Sequence, residues 1–300
     1  MSVQSTIDGR AGLDIFADTI AEMTWLEVDQ AAKDGAVLLW AFGVIEQHGP
    51  HLPTGTDVYL PAARLRGVRA TLAQRGIKAL IVPPYYWGVN VVSGSFPASP
   101  NVRPEVIKEL MADVFAGFAR DGFRHVFCFS GHGDALHNRT VHDGIRLGVE
   151  RTGLDISFVI DAALAQRIGL SLDDPHLTLV DGTPSAHVAA RAAQVSSPSA
   201  QVAPGQYVDV HAGQWETSMM MSCCAPLVRE SVRQTLKPTN YGVEDLMTWR
   251  QGYDAARRKT PLGYFGDPAA ATLAQGERSL ARSIAAAADA IERRLRAAAG

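Results

Sequence analysis

The stretch Ala36-Val-Leu-Leu-Trp-Ala-Phe-Gly-Val44 is a continuous apolar run, and it decides the fold class. Mostly apolar runs follow at Lys78 to Val82, His125 to Phe129 and Ile156 to Ile160. Short runs of this kind, without alternation of apolar and polar residues, are typical of strands that are buried on both faces. We therefore predict a mostly parallel central sheet.

Amphipathic helical patterns lie between these runs. The clearest spans Pro104 to Arg120, and its apolar stripe consists of Ile107, Leu110, Met111, Val114, Phe115 and Phe118. Alternating buried strands and amphipathic helices predict an α/β domain with helices on both faces of the sheet. A last alanine-rich pattern, Ala269 to Ala299, predicts a helix docked on the domain surface, with Leu273, Leu280, Ile284, Ile291 and Leu295 as its apolar points.

The chain has 300 residues and no segment that reads as a linker. Its longest clusters of turn-forming residues, Ser196 to Ser199 and Pro204 to Gln206, are short and stand between apolar segments, as loops inside one unit do. We predict a single domain over residues 1–300. The content of 47% hydrophobic and 20% charged residues is that of an independently folding globular protein.

The formal net charge of −3, with scattered basic residues, gives no field that would attract nucleic acid. Residues 1–9 are polar, and no stretch approaches about 18 uninterrupted apolar residues. We expect a cytoplasmic protein without membrane or nucleic-acid partners. Three cysteines, Cys128, Cys223 and Cys224, make a poor disulfide framework and are predicted to be reduced core thiols.

In open α/β sheets, ligands bind beyond the carboxyl ends of the strands. The segment Glu46 to Asp57 follows the first predicted strand there. Glu46 and His48 are two residues apart, so an extended chain places both side chains on one face, and the Gly/Pro-rich turn can return Asp57 to them. Oxygen and imidazole ligands from one loop suit zinc, manganese or iron. The alternative is a polar loop with a helix cap at Thr56 or Asp57.

A second polar segment, Ser130-Gly-His-Gly-Asp134, follows the strand at His125 to Phe129. Its glycines let the backbone turn sharply around His132, and Asp134 can join the same metal or a second one. Ser130 lacks the G-x-S-x-G context of a nucleophilic serine. His137 and His142, further along, are expected to be solvated or to cap a helix.

The third segment is His211 to Ser218, which leads into three methionines predicted to be core. His211 and Glu216 are candidates for proton transfer or for completing a metal shell, and Trp215 can line a substrate pocket. The three segments offer many carboxylates and imidazoles and no cysteine cluster, which indicates an open, catalytic metal site. A two-metal site fits, with the metals polarising a carbonyl and generating hydroxide from bound water.

The order E-Q-H-G-P-H-L-P-x-G-T-D, then G-H-G-D, then H-A-G-x-x-E-T-S resembles the signature of the creatininase (creatinine amidohydrolase) family, across about Trp40 to Met220. The resemblance implies a three-layer α/β/α fold, two divalent metals per chain (Zn, Mn or Fe), a homo-oligomer that is often a hexamer, and hydrolysis of amides or cyclic amides in small molecules.

By position, the resemblance implies that one metal binds Glu46, Asp57 and His132, and that the other binds His48 and the shared Asp57. Asp134 stands where creatininase has a glutamate ligand, so either Asp134 or Glu216 completes the second shell. His211 is implied as the acid/base that protonates the leaving nitrogen. With Glu216 and Asp134 as further catalytic candidates, these are the predicted active-site residues.

The predicted substrate contacts are Trp87, Ser95 and Trp215. The segment from Trp87 to Ser99 resembles one that often reads F-P-G-T in relatives, but Ala98-Ser99 stands here in place of Gly-Thr. This departure argues against assigning creatinine itself as substrate.

The prediction is a metal-dependent amidohydrolase that cleaves a C–N bond of a small non-peptide amide by metal-bound hydroxide. Two alternatives remain open at this point. One is a metal-dependent lyase or isomerase on a small carbonyl substrate, and the other is a non-catalytic metal-binding scaffold.

Overall fold

The computed structural model describes residues 13–180 and 208–299. A five-stranded sheet lies at the centre of this part of the chain, with the strand order β2-β1-β3-β4-β5 and parallel pairing throughout. The strands are β1 (Val37–Phe42), β2 (Ala79–Tyr85), β3 (His125–Ser130), β4 (Asp155–Asp161) and β5 (Leu177–Val180). The prediction of a mostly parallel sheet is confirmed.

Helices connect these strands and follow them along the chain. They are α1 (Trp25–Lys33), α2 (Thr56–Gln74), α3 (Pro104–Arg120), α4 (Ala135–Thr152), α5 (Ala162–Arg167), α6 (Gln214–Cys223), α7 (Glu230–Arg233), α8 (Val243–Trp249), α9 (Tyr253–Lys259) and α10 (Leu273–Ala299). Short 3-10 turns occur at Ile20–Glu22, Ala225–Leu227 and Pro268–Ala270.

Two apolar clusters cover the two faces of the sheet, because successive side chains of a strand point in opposite directions. On one face, Leu38, Trp40 and Phe42 of β1 pack in a cluster with Met111 and Phe115 of α3. On the other face, Val37, Leu39 and Ala41 of β1 share a cluster with residues of α2 and α10, among them Leu65, Val68, Ala287 and Ile291. The three-layer α/β/α architecture is confirmed.

Strand β2 is longer than the predicted run, because it continues through Pro83 and Pro84 to Tyr85. Proline removes a backbone donor and is tolerated at the edge of a sheet. Strand β2 is an edge strand of the described sheet, and its only strand neighbour there is β1.

The predicted helix at Pro104 to Arg120 is α3, with identical ends. The last helix, α10, does more than dock on the surface, because its Ala287, Ala288 and Ile291 are completely buried in the cluster against the sheet. Its first predicted apolar point, Leu273, is instead 47% exposed.

Cys128, Cys223 and Cys224 are free thiols, the first and last of them buried. Met219 and Met220 are buried, as predicted. None of the described helices has the length and apolar character needed to cross a membrane. The predicted loops at 196–199 and 204–206 lie outside the described residues.

Candidate metal centre

The loop after β1 brings three predicted ligands together at the carboxyl edge of the sheet. The amide of Glu46 donates to the carbonyl of Thr54 at 2.9 Å, so the two arms of the loop run side by side. Gly49, at the bend, has φ of +67°, which glycine adopts without a Cβ penalty. Helix α2 then begins at Thr56, which places Asp57 in its first turn beside Glu46 and His48.

The carboxylate of Asp57 lies between two histidines. Its Oδ1 is 3.2 Å from Nε2 of His48, and its Oδ2 is 2.9 Å from Nδ1 of His132. All three side chains are almost completely buried. Asp57 is therefore part of the site, and the cap of helix α2 is formed by Gly55 without a side-chain hydrogen bond.

The buried carboxylate of Glu46 completes the contacts of His132. Its Oε1 lies 3.0 Å from Nδ1 of His132 and 3.8 Å from Nδ1 of His211. Its other oxygen, Oε2, has no hydrogen-bond partner among the described residues. Glu46 thus links the first two sequence segments to the third.

His132 reaches the site for a different reason from the one expected. Neither Gly131 nor Gly133 has a positive φ. A Cβ at Gly131 would instead stand 2.2 Å from the carbonyl oxygen of Asp57, so this glycine lets the strand end pack against the start of α2. That close approach sets His132 beside Asp57.

Glu216 comes from the third segment, in the first turn of α6. Its Oε2 accepts a hydrogen bond from the amide of Ala212 at 2.6 Å and lies 3.9 Å from Nε2 of His48. At the start of this helix, the carboxylate of Asp209 accepts hydrogen bonds from the amides of Gln214 and Trp215. Asp209 was not singled out from the sequence, although an acidic residue shortly before a helix is a capping signal.

Three groups of ligand atoms in this cluster lie within 4.8 Å of one another. The groups are Glu46/Asp57/His132, His48/Asp57/Glu216 and Glu46/His48/His211. One buried oxygen of this cluster, Oε2 of Glu46, has no partner among the described residues. Since buried polar atoms are nearly always paired, this donor set fits divalent cations.

The charges of the cluster compensate one another. Burial alone would raise the pKa of Asp57, but the charge of His48 and the hydrogen bond to His132 lower that pKa. Burial opposes the charged form of His48, yet Asp57 outweighs it and raises the pKa of His48 to about 9. The pKa of His132 is likewise raised, chiefly by Glu46 acting against burial. Metal binding would displace these imidazole protons.

Asp134 lies apart from this cluster. Its Oδ1 accepts from the amides of Leu136 and His137, at 2.7 and 3.2 Å, as the N-cap of α4. Its Oδ2 accepts from the amide of Val91 at 3.3 Å. The structure therefore brings Glu216 next to His48 and leaves the shorter Asp134 carboxylate occupied by backbone donors.

The expectation that His137 and His142 are solvated or cap a helix is wrong. Both are buried on α4, a helix that packs against α3 and strand β4. Nε2 of His142 contacts Oδ2 of Asp174 at 3.0 Å. Both nitrogens of His137 lack a partner among the described residues, and its ring packs against that of His132.

His211 sits beside the cluster, held by an antiparallel bridge to Phe265. Its ring lies 4.4 Å from that of His48. Its Nε2 lies 2.8 Å from the backbone carbonyl of Gln47 and 3.1 Å from Nε2 of the Gln47 side chain. The sequence analysis did not predict a function for Gln47. Its position between Glu46 and His48 was a signal, because a buried polar side chain needs hydrogen-bond partners.

The three predicted substrate contacts are spread around the site. Trp87 is 44% exposed and makes an edge-to-face contact with the ring of Tyr86. Ser95 donates to Asp254 of α9 at 2.7 Å. Trp215, one residue before Glu216, packs against an apolar cluster. Of the three, Trp215 shares its helix with a residue of the metal cluster.

The altered segment near Ser99 keeps the backbone shape that glycine would favour. Ala98 has φ of +57°, in the left-handed region that favours glycine. The hydroxyl of Ser99 accepts a hydrogen bond from the amide of Gln47 at 2.9 Å. The segment is thus tied to the loop that carries Glu46 and His48.

Comparison with known proteins finds relatives that are named for different hydrolytic activities. The chain is 30% identical over 119 residues to creatinine amidohydrolase from Pseudomonas putida, a stretch that covers 38% of this chain and 44% of that enzyme. It therefore spans less than half the length of this relative. It is 26% identical over 264 residues to a mycofactocin precursor peptide peptidase from Mycolicibacterium smegmatis, covering 86% and 85% of the two chains.

A solved manganese form of creatininase superposes on the chain with a TM-score of 0.65 at 21% identity, over 92% of this chain and 98% of that one. At this level of identity the likeness concerns the fold. The model of the creatininase family, described as creatinine amidohydrolase, matches residues 21–291. The chain therefore belongs to the creatininase family.

Proposed function

We propose that this protein hydrolyses a C–N bond in a small non-peptide amide or cyclic amide, with divalent metal ions as cofactors. The observation that carries the proposal is the position of Asp57, whose two carboxylate oxygens each face a different buried histidine, His48 and His132. A carboxylate in that position suits a bridge between two metal ions.

Two ions per chain are proposed. One would be held by Glu46, Asp57 and His132, and the other by His48, Asp57 and Glu216. When bound, such ions polarise a carbonyl oxygen and lower the pKa of water to near neutrality. Zinc, manganese or iron suits these oxygen and imidazole ligands, and solved creatininase structures include manganese and Zn–Zn forms.

His211 supplies the proton transfer in this proposal. In this proposal Nε2 of His211 carries the ring proton and donates it to the Gln47 carbonyl at 2.8 Å, because a carbonyl oxygen only accepts. The 3.1 Å contact of the same nitrogen with the Gln47 side-chain amide is then not a hydrogen bond. Nδ1 is then free to take up a proton on the side that faces Glu46, 3.8 Å away. The ring would pass this proton to the departing nitrogen, which leaves as a neutral amine.

The remaining residues keep the site closed and aligned. Glu46, His48, Asp57 and His132 are each no more than 7% exposed, so the charges of the site interact in a medium of low dielectric. The contacts of Gln47 with His211 and Ser99 fix the orientation of His211 relative to the loop.

A second candidate is the amide bond of a peptide. It is favoured by the relative from M. smegmatis, a mycofactocin precursor peptide peptidase that matches most of this chain. A panel of linear amides, cyclic amides and short peptides separates the two candidates by their relative kcat/KM values.

The test starts from protein stripped with a chelator and assayed before and after Zn²⁺ or Mn²⁺ is restored. We expect activity to disappear and return. Labelled solvent oxygen should enter the new carboxylate; its absence, together with solvent proton exchange, would favour a lyase or isomerase. Full activity of the metal-free protein would overturn the proposed metal dependence. Lack of turnover across the whole substrate panel would favour a non-catalytic metal-binding scaffold.

We also propose a single domain, a cytoplasmic location and a homo-oligomer, with the hexamer of the family resemblance as the expected form. Sedimentation of the purified protein tests the oligomer, and limited proteolysis tests the single domain.

A further inference from the structure

His137 is a buried imidazole that the proposed reaction does not use. It lies in the first turns of α4, five residues after His132, and its relative exposure is 0%. Neither Nδ1 nor Nε2 makes a well-directed hydrogen bond with a described residue, although the backbone of Phe42 lies near enough to interact with the ring. Leaving polar atoms unpaired in the interior costs folding free energy, so we expect the nitrogens of His137 to have a partner when the protein is active.

The backbone of Gly88 closes one edge of the His137 ring. A Cβ at Gly88 would lie 2.6 Å from Nδ1 and Cε1 of His137 and 2.5 Å from a methyl of Val44. The backbone at Gly88 therefore packs directly onto the ring edge. An imidazole in its neutral form offers one donor and one acceptor nitrogen.

The ring of His132 is a second neighbour of the His137 ring. The two rings are 5.2 Å apart between centroids and nearly perpendicular, at 74°. His132 turns Nδ1 toward Glu46 and Asp57, at 3.0 and 2.9 Å, and its Nε2 is also without a partner among the described residues. Two neighbouring imidazoles thus have complementary unpaired nitrogens.

A histidine that binds a metal through one nitrogen usually donates its other N–H to an acceptor, which fixes the ring and strengthens it as a ligand. We propose that His137 is this acceptor for His132, receiving the Nε2 proton directly or through one bridging water. His137 is then a positioning residue for the metal centre. The inference rests on the proposed metal-binding function and deepens it.

The test compares zinc affinity of metal-free variants by competition with a chromogenic chelator. His137→Leu removes the acceptor, whereas His137→Asn and His137→Gln place an amide oxygen near the position of Nδ1 or Nε2. We expect H137L to bind zinc about 10- to 100-fold more weakly, which is the usual loss for a missing outer partner. At least one of the amide variants should recover most of that loss.

His142→Leu is the matched control, because His142 is a buried histidine on the same helix that pairs with Asp174 instead. It should keep wild-type zinc affinity while losing stability. Equal zinc affinity in H137L and wild type, or equal losses in H137L and H142L, would overturn the role of His137. If the wild type itself binds no divalent metal, the proposed function fails instead.

A second measurement does not depend on the folding of the leucine variant. Nitrogen–proton correlation spectra of the zinc-loaded wild type should show Nε2 of His132 protonated and its proton protected from exchange with solvent. Protonation at Nδ1, or rapid exchange of the Nε2 proton, would contradict the proposal.

Discussion

Nε2 of His51 lies 2.8 Å from the hydroxyl of Thr217, and this buried contact joins the loop of the first motif to helix α6. Glu216 stands directly before Thr217, so the same contact helps to hold Glu216 opposite His48. Both His51 and Thr217 are completely buried. This hydrogen bond thus adds to the contacts of Gln47 with His211 in holding the two sequence segments together, and neither of its residues is a proposed metal ligand.

Thr217→Val should therefore destabilise the protein. The substitution preserves shape but leaves Nε2 of His51 without a partner, and Nδ1 of that ring already lacks one. We expect the free energy of unfolding to fall by about 1–3 kcal/mol, as for other orphaned buried groups. Urea unfolding measures it, with Thr217→Ser as the control that keeps the hydroxyl. Valine as stable as serine at this position would contradict the hydrogen bond.

His51 should also make stability depend on pH. Burial lowers its pKa to about 3, whereas an unfolded histidine titrates near 6.5. Between these values the unfolded chain binds a proton that the folded chain does not, so stability falls as the pH drops. Each such group contributes a slope of about 1.4 kcal/mol per pH unit.

The window from about pH 5 to 6.5 separates this effect from the carboxylates, while the buried His137 and His142, whose pKa values are also lowered, add slopes of the same sign that a variant of His51 leaves unchanged. The raised pKa values of His48 and His132 mean that their stabilisation is fully present below 6.5 and is lost only as pH rises through those values. The lowered pKa values of Asp57 and Glu46 matter at more acidic pH, near and below the ordinary carboxyl range. In metal-free protein, His51→Gln should flatten the slope by about 1.4 kcal/mol per pH unit. An unchanged slope would mean that His51 is charged in the folded state.

Much of the fold could be predicted because buried parallel strands and amphipathic helices leave clear patterns, as Ala36 to Val44 and Pro104 to Arg120 do. The ligand-rich loop could be predicted because its members are close in sequence. Contacts between distant segments could not, since periodicity carries no information on which side chains meet. The pairing of His51 with Thr217 and the burial of His137 are of this kind.

Asp134 is the opposite case, a predicted metal ligand whose carboxylate caps a helix in the structure. Its position after His132-Gly133 suggests a ligand, but a residue just before a helix competes for the free amides of the first turn. Here those amides occupy its carboxylate. Position along the chain could not decide between these roles.

Ala98→Gly should stabilise the protein. Ala98 holds φ of +57°, and a left-handed conformation costs a residue with a Cβ about 1–2 kcal/mol. Glycine removes that cost but has more freedom in the unfolded chain, so we expect a net gain of about 1 kcal/mol in unfolding free energy. Ala36→Gly, at a buried position with negative φ, is the opposite control and should destabilise. A loss of stability in A98G would argue against the strained backbone.

Asp57→Asn and Asp134→Asn form a matched pair of isosteric changes that separates the two acidic candidates. D57N removes the charge between His48 and His132, so we expect metal content and kcat/KM to fall by at least about 100-fold. D134N keeps the N-cap of α4, because asparagine caps a helix as well as aspartate does. It should retain metal content, measured by elemental analysis. Equal loss of metal from D134N would make Asp134 a ligand after all.

His211→Gln should separate proton transfer from metal binding. His211 lies 3.8 Å from Glu46 and turns its Nε2 to the carbonyl of Gln47, so the variant should keep its metal while losing the group that protonates the leaving nitrogen. On an ordinary amide we expect kcat to fall by about 10²- to 10⁴-fold, the usual contribution of a general acid or base.

The size of that loss should depend on the leaving group. A nitroanilide departs as a weakly basic amine that needs little protonation, so H211Q should lose far less activity on it than on an alkyl amide. His142→Gln, away from the centre beside Asp174, should leave both rates unchanged. Equal losses on the two substrates would show that His211 orients the substrate instead of handing it a proton.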